Sequence, residues 1–201
     1  MKEYPGMEAA LELSEAALDQ LSKNDFLTDI PVVGIAFKVC KSVAGIRERL
    51  YLSKLNDFVL RLDAISREEL HEMLGQLLPD TKERERVGER LLMILEQLSD
   101  RDRPVIMAVF FIAYLRRMID LPTLLRSWDS IATAYCGDLS ILLGLTGEPA
   151  IGGGNSHLQY LLRTGLSQIR GITADHSGTM QYDVSQFGSL FISVYHEANA
   201  A

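Results

Sequence analysis

Cysteine is scarce in this sequence, since Cys40 and Cys136 are the only two among 201 residues. Two cysteines cannot make a disulfide scaffold, and no Cys-x-x-Cys motif or Cys/His cluster with the spacing of a zinc site is present. We therefore expect both side chains to be small core residues with reduced thiols, as is usual in a cytoplasmic protein.

Long apolar runs are also missing. No stretch of about 18 uncharged apolar residues, the length that a membrane-spanning helix needs, occurs in the chain. Residues 104–115 are too few, and residues 30–46 include Lys38 and Lys41. The acidic opening at residues 1–5 lacks the apolar centre of a secretory signal. These absences predict a cytoplasmic protein.

Basic charge is in deficit. The chain has 20 Lys and Arg against 27 Asp and Glu, for a net charge of −7, which argues against broad binding to nucleic acid or anionic lipid. Apolar residues at 47% and charged residues at 23% are typical of a folded globular protein. At this length roughly 70% of the unfolded surface is buried on folding, which permits a core without covalent cross-links.

Most of the chain shows the periodicity of α-helices. Apolar residues recur every three or four positions through the first two-thirds, beginning with a stripe over residues 7–21. Helix starts are marked by capping side chains and prolines at Pro31, Ser66, Asp80, Asp102 and Asp120. The helix after Asp102 has almost no polar face before Arg116 and is predicted to be the central buried helix. A last helical stretch covers residues 124–145, with Gly137 as its expected break.

The composition changes near Thr146. A glycine-rich connector at residues 147–155 precedes a short helical run over 156–164, strand-like runs at 167–174 and 179–184, and a closing amphipathic helix at 186–196. The sequence therefore predicts a mainly α fold. We expect a bundle of about seven helices over residues 1–146, the connector at 147–155, and a helix–β-hairpin–helix appendage over 156–201.

The tail resembles the C-terminal part of a winged-helix domain. The matching runs are Leu-Leu-Arg-Thr-Gly-Leu at 161–166 and, after the hairpin, Tyr-Asp-Val-Ser-Gln-Phe-Gly at 182–188, which is similar to the close of many wings. This resemblance covers about a fifth of the chain. It implies nucleic-acid binding as one function of the tail.

The residues of the tail offer a small set of nucleic-acid ligands. His157, Gln159 and Arg163 lie on the expected reading helix, and Arg170 lies on the wing. Residues 151–201 carry two basic and three acidic side chains, so the positive charge that dominates affinity for DNA is missing. A small packing or dimerisation module is the alternative interpretation, and it is the one we favour.

A second resemblance covers residues 30–58. Its Ile-Pro-Val-Val-Gly opening at 30–34 and the run Ile-Arg-Glu-Arg-Leu-Tyr at 46–51 resemble a block in a family of small, uncharacterised prokaryotic helical proteins, some of which are encoded near phage-defence genes. The resemblance implies a prokaryotic or phage origin. It carries no activity that could be transferred to this chain.

The same region suggests a membrane-acting alternative. The stretch from Ile30 to Ile46 is glycine-bearing and apolar, and Lys38 and Lys41 could face an anionic bilayer surface if the segment were released. Residues 1–30 have a net charge of −5 and residues 31–60 a net charge of +3. An acidic first helix covering basic neighbours and simple surface patterning are equally good explanations of that contrast.

Catalytic patterns are absent or incomplete. The chain has one Glu-x-x-His pair, Glu68 and His71, whereas a di-iron bundle needs two such pairs. We therefore expect these two residues to lie on a solvated helix face. The glycines at 152–154 lack the Lys-Ser/Thr of a phosphate loop, and Asp175, His176 and Ser177 adjoin in a turn where they cannot form a triad. We expect no catalytic, cofactor or metal site.

A folded chain without a convergent acid, base, nucleophile or metal cluster is better explained by surface recognition than by turnover. The sequence therefore predicts a non-catalytic protein-interaction or regulatory protein. Its partner is a protein of unknown identity, and a homodimer through the tail or through the apolar helix around Phe110 is one form of this prediction. The membrane-acting effector and the winged-helix nucleic-acid binder are the alternatives.

Overall fold

The computed structural model describes residues 46–62, 65–77, 81–144, 156–172 and 180–200. These residues form eight α-helices, one 3-10 turn and a two-stranded antiparallel hairpin near the C-terminus. The predicted fold class, a mainly α bundle with a helix–hairpin–helix tail, is confirmed. The helices predicted over residues 7–21 and from Pro31 lie outside the described residues.

The elements follow the sequence pattern closely. The helices are α1 Ile46–Leu62, α2 Arg67–Leu77, α3 Thr81–Gln97, α4 Asp102–Leu115, α5 Leu121–Thr133, α6 Cys136–Leu142, α7 Ser156–Leu161 and α8 Gln186–Ala200. The 3-10 turn Leu162–Thr164 follows α7, and the hairpin consists of β1 Ser167–Ile172 and β2 Met180–Val184. Both strands lie within the runs predicted for them.

The chain divides into two compact units, Met1–Ala108 and Val109–Ala201, and the division falls inside α4. This grouping differs from the limits that the composition suggests, at residues 146 and 156. The glycine-rich connector at 147–155 lies outside the described residues, so those limits stay a prediction. The tail shares its unit with α5, α6 and the second half of α4.

The core of the first unit is made by the apolar stripes of α1, α2 and α3. Its fully buried side chains recur every three or four positions, which places them on one face of each helix. They are Leu52, Leu55, Phe58, Leu62, Leu70, Leu74, Leu91 and Leu95.

A buried lysine closes the C-terminus of α3. The Nζ atom of Lys54, on α1, donates to the carbonyl oxygen of Leu98 at 2.7 Å and to that of Glu96 at 3.3 Å. The last carbonyls of a helix have no partner within the helix, so a cation placed there satisfies them and matches the negative end of the helix dipole. Burial lowers the pKa of Lys54, and the nearby Glu96 carboxylate opposes that effect.

Capping side chains start three of the helices. Ser66 Oγ accepts a hydrogen bond from the Glu69 backbone N–H at 3.3 Å, and Asp120 Oδ1 accepts one from Thr123 N–H at 2.9 Å. Both caps were predicted. For α4 the prediction named Asp102, but the carboxylate that caps the helix is Asp100, whose Oδ1 accepts from Arg103 N–H at 3.0 Å. The predicted cap at Asp80 lies outside the described residues.

The break between α5 and α6 is earlier than predicted. Gly137 is a residue of α6, and the chain turns instead at Ala134 and Tyr135, whose backbones are extended with ψ near 146° and 132°. A Cβ atom on Gly137 would lie 2.8 Å from Cε1 of Tyr135. Gly137 therefore lies beneath the exposed Tyr135 ring, within α6, and does not end a helix.

The second unit has an aromatic core around the end of α4. The rings of Phe110 and Phe191 have centroids 4.2 Å apart, and Phe111 lies 6.0 Å from Trp128. Every residue of α4 from Ile106 to Leu115 is buried, which confirms the predicted central helix. Because Phe110 is packed against Phe191, its side chain has no free surface for a homodimer contact.

Three serine hydroxyls hold the tail in place by donating hydrogen bonds to backbone carbonyls. Ser130 Oγ on α5 donates to the Thr164 carbonyl at 2.8 Å, and Ser167 Oγ donates to the Leu158 carbonyl at 2.5 Å. Ser185 Oγ donates to the carbonyl of Gly165 at 2.6 Å. The carbonyls of Thr164 and Gly165 lie in the segment between α7 and β1, and that of Leu158 lies in α7, so these hydroxyls hold α7, the segment after it and the hairpin together.

The start of α8 lies against the backbone that precedes β1. A Cβ atom on Gly188 would lie 2.0 Å from the carbonyl oxygen of Leu166 and 2.8 Å from Cγ1 of Val184. The N–H of Ser185 donates to that same Leu166 oxygen at 3.0 Å. A glycine at position 188 is therefore required for this close approach.

We predict that Gly188→Ala lowers the free energy of unfolding by about 3 kcal/mol, because the new methyl group meets backbone that cannot move without breaking the Ser185 hydrogen bond. Urea unfolding followed by circular dichroism, which reports the helices of both units, measures the change. The matched control is Gly75→Ala in α2, where no atom lies within 4 Å of the new Cβ. That variant should gain up to about 1 kcal/mol from helix propensity. Equal stability of the two alanine variants would contradict the account of Gly188.

Candidate functional site

An open pocket of about 650 Å³ lies in the second unit, between the α5–α6 junction and α7. This volume is in the range of sites that hold small ligands. Its described lining residues come from the two sides of the pocket: Thr133, Tyr135, Asp138, Gln159, Tyr160 and Arg163.

Two exposed tyrosines give the pocket its apolar surface. Tyr135 is 74% exposed and Tyr160 is 67% exposed. Tyr135 projects because the chain is extended at the α5–α6 turn, where the residue precedes α6. Tyr160 projects because Leu158 and Leu161 hold the opposite face of α7 in the core. Rings at such exposure offer a stacking face together with a hydroxyl that donates and accepts hydrogen bonds.

Asp138 supplies the pocket with a carboxylate that can accept hydrogen bonds. Burial raises the pKa of Asp138, and the charge of His157 on α7 counteracts part of that rise. The Nδ1 atom of His157 is buried and has no hydrogen-bond partner among the described residues. Unsatisfied buried polar atoms of this kind are rare in folded proteins.

Arg163, Gln159 and Thr133 supply the remaining polar groups of the pocket. All three are exposed. A guanidinium presents several N–H donors in a planar fork that suits phosphate and carboxylate groups, whereas an amide both donates and accepts. The described lining therefore combines two aromatic rings, one cation, one partly buried carboxylate and neutral hydrogen-bonding groups.

The structure brings together three of the four nucleic-acid candidates of the tail, His157, Gln159 and Arg163. Arg163 lines the pocket, and His157 lies close enough to affect the Asp138 carboxyl. Arg170 is elsewhere, on β1, where its Nε lies 3.7 Å from the Asp183 carboxylate. Lys38 and Lys41, the predicted membrane-facing residues, lie outside the described residues. Among the residues that are described, no helix has both the length and the apolar character needed to cross a bilayer.

The hairpin carries a second surface of interest. Ile169 is paired with Tyr182 in the antiparallel register, so the two side chains share a face, and Met180 lies two residues from Tyr182 on that face. The Tyr182 hydroxyl donates to the Met180 sulfur at 3.6 Å. We call Ile169, Met180 and Tyr182 the hairpin face. Ile169 is 54% exposed and Met180 is 51% exposed, whereas Ser167, at the base of the same face, is buried.

Polar residues that could have held a metal are dispersed. Glu68 and His71 are both exposed on α2, in agreement with a solvated helix face. Within the described ranges no three His, Cys, Asp or Glu side chains converge in a way that could bind a metal ion. Cys136 is partly buried at the first position of α6. Cys40, the glycines at 152–154 and the turn at 175–177 lie outside these ranges.

Comparison of the chain with protein-family models, with curated proteins and with solved structures found no match.

Sequence reasoning missed Tyr135, Tyr160 and Asp138. Tyr160 was detectable in principle, because it lies off the apolar stripe of Leu158 and Leu161. The packing of α6 beside α7 was not detectable. A long connection separates the two helices in the sequence, and residue spacing does not determine the path of that connection. The meeting of Asp138 with His157 is a consequence of that approach.

We predict that Asp138→Asn raises the melting temperature at pH 7. Because the pKa of Asp138 is raised in the folded chain, its contribution to stability is present at acid pH and is lost as the pH rises above 3.8 through the folded value. Asparagine stays neutral and avoids this loss, so its advantage should shrink when both proteins are measured at pH 4. Glu89→Gln, at an exposed position of α3, serves as the control and should change the melting temperature by the same amount at both pH values. A lower melting temperature for Asp138→Asn at pH 7 would contradict the prediction.

Proposed function

We propose that this chain is a non-catalytic protein-interaction or regulatory protein of prokaryotic or phage origin, and that it holds a protein partner with the hairpin face. The observation that carries the proposal is the exposure of Ile169 and Met180 on the hairpin, where Ile169 is the cross-strand partner of Tyr182 and Met180 lies two residues from Tyr182 along β2. Exposed apolar side chains grouped on one face are typical of binding surfaces, whereas single exposed ones are common everywhere.

The construction of the hairpin supports this use. A two-stranded hairpin is marginally stable without packing on other elements. Here its base is fixed by Ser167 to α7 and by Ser185 to the turn after α7, while the hairpin face continues into exposed positions. A partner that covers Ile169 and Met180 removes apolar surface from water, which stabilises the complex by about 25 cal/mol for each Å² buried.

The resemblance of residues 30–58 to small prokaryotic proteins encoded near phage-defence genes supports the assignment of origin and a role in phage defence. Its distinctive opening at 30–34 lies outside the described residues. The membrane-acting alternative rests on the stretch from Ile30 to Ile46, nearly all of which also lies outside them, and stays a prediction of the sequence.

The first test is affinity capture from the native host with the full chain as bait, followed by quantitative mass spectrometry. We predict that Met180→Lys lowers the captured amount of at least one protein by about tenfold or more, because a charge placed in an apolar contact must be desolvated without a partner. Met93→Lys is the matched control, since Met93 is 55% exposed on α3 in the other unit. It should capture that protein as the unaltered chain does.

Circular dichroism of the three proteins checks that each is folded. A second, untagged copy of the chain in the eluate would identify the partner as a homodimer subunit. If Met180→Lys captures the same proteins in the same amounts as the unaltered chain, the hairpin face is not the interaction surface.

Nucleic-acid binding through the winged-helix-like tail is a second candidate function. The observation that favours it is the exposure of Gln159, Tyr160 and Arg163 on one stretch of the tail, where a reading helix would present such side chains. Against it stand the net charge of −7 and the closeness of Arg170 to Asp183.

If the tail binds nucleic acid, Arg163→Glu should weaken the retention of a labelled duplex or single-stranded oligonucleotide at least about fivefold, because one phosphate contact becomes a repulsion. Arg170→Glu should have a smaller effect, because the charge of Arg170 is already partly balanced by Asp183. Electrophoretic retention at low and at moderate salt measures both. Absence of retention at low salt would eliminate this candidate.

A further inference from the structure

The pocket between the α5–α6 junction and α7 is independent of the hairpin face. None of the six described lining residues belongs to β1 or β2. The proposed protein interaction therefore leaves the pocket without a role. Its lining is also more polar than a protein contact at the hairpin requires, since a cation, a carboxylate and an amide adjoin two tyrosines.

The aromatic part of the lining fits a flat ring. Tyr135 and Tyr160 come from different elements and are both largely exposed, so their faces are available to a planar ligand. Stacking on an aromatic side chain binds any nucleobase because every base has a π-face. An aliphatic ligand would gain as much from leucine or isoleucine, which the described lining does not contain.

The charged part of the lining fits the two ends of a nucleotide. Ionised Asp138 can only accept hydrogen bonds, and guanine presents two adjacent N–H donors on one edge. Arg163 can only donate, and its planar fork suits phosphate oxygens. One ligand that carries both an N–H edge and an anionic group satisfies both side chains, whereas a simple anion or a simple cation would repel one of them.

We propose that this pocket binds a nucleoside phosphate: the base stacks on Tyr135 and Tyr160 with its N–H edge toward Asp138, and the phosphate lies against Arg163. Gln159 and Thr133 are the groups available to the ribose hydroxyls. The ligand is a free nucleotide or the phosphorylated end of a strand, because the chemistry of recognition is the same. Bound in this way, it would serve as the regulatory ligand of a non-catalytic protein.

The burial of Asp138 is consistent with this assignment. A carboxylate whose ionisation is disfavoured by burial regains stability when a ligand donates hydrogen bonds to it. The size of the pocket is also sufficient, since about 650 Å³ is in the range of cofactor and small-molecule sites.

The experiment is isothermal titration of the full chain with GMP, whose base has the two adjacent N–H donors. Guanosine, ribose 5-phosphate and inorganic phosphate are titrated in parallel. We expect GMP to bind with a dissociation constant below about 1 mM and each of the three fragments to bind at least about tenfold more weakly. A 5′-phosphorylated guanine tetranucleotide distinguishes the two sources: tighter binding of GMP assigns a free nucleotide, and tighter binding of the tetranucleotide assigns a strand end.

Variants locate the site. Arg163→Leu should weaken GMP binding at least about tenfold, because it removes a charge-assisted hydrogen bond, and Tyr160→Ala at least about fivefold, because it removes a stacking face. Arg170→Leu is the matched control and should bind GMP as the unaltered chain does. All three positions are exposed, so each variant is expected to fold.

Two results would overturn the proposal. One is the absence of binding by both GMP and the tetranucleotide at about 1 mM. The other is binding that Arg163→Leu and Arg170→Leu weaken equally, since that would report general attraction to positive charge. Neither result bears on the hairpin face, because Met180→Lys leaves the pocket lining intact. The two proposals are thus tested separately.

Discussion

The close approach of α8 to the backbone before β1 is the constraint on which the second unit depends. Gly188 lets the helix lie against Leu166 without a side chain between them, and Ser185 completes the joint by donating to the Gly165 carbonyl and accepting from Gly188 N–H at 2.9 Å. This joint fixes where β2 ends and where α8 begins. It also places Phe191 against Phe110 in the core and Phe187 beneath Arg126, whose guanidinium carbon lies 4.0 Å from the ring centre.

Both proposed binding surfaces lie in the second unit. At the base of the hairpin Ser167 is buried, whereas Ile169, two residues farther along β1, and Met180, at the start of β2, are exposed. The pocket forms where α7, held by Leu158 and Leu161, lies beside the turn that exposes Tyr135. In each case helices or strands that are anchored in the core also carry side chains that lie outside it. These exposed side chains are available for recognition.

Local signals in the sequence predicted most of the described fold. Ser66 and Asp120 cap helices as expected, because a capping hydrogen bond joins residues three apart and depends on nothing remote. The break expected at Gly137 falls instead at Ala134 and Tyr135, and neither alanine nor tyrosine is a residue type that marks the end of a helix. Part of the candidate site was predicted, because His157 and Arg163 were identified by residue type. Asp138, Tyr135 and Tyr160 join them only because α6 lies close to α7, and the spacing of residues along the sequence does not predict that packing.

Lys54 has a consequence for chemistry at amino groups. Its Nζ atom is held by the carbonyls of Glu96 and Leu98 and is shielded from water, whereas the side chain of Lys82 is exposed. Acylating reagents, and enzymes that acetylate lysine, therefore reach Lys54 only when the end of α3 frays. The lowered pKa belongs to the buried amine, because the burial that causes it ends when Lys54 is released. The reaction of Lys54 with such reagents therefore depends on how often the end of α3 opens. The extent of acylation at Lys54 therefore measures how often this part of the first unit opens.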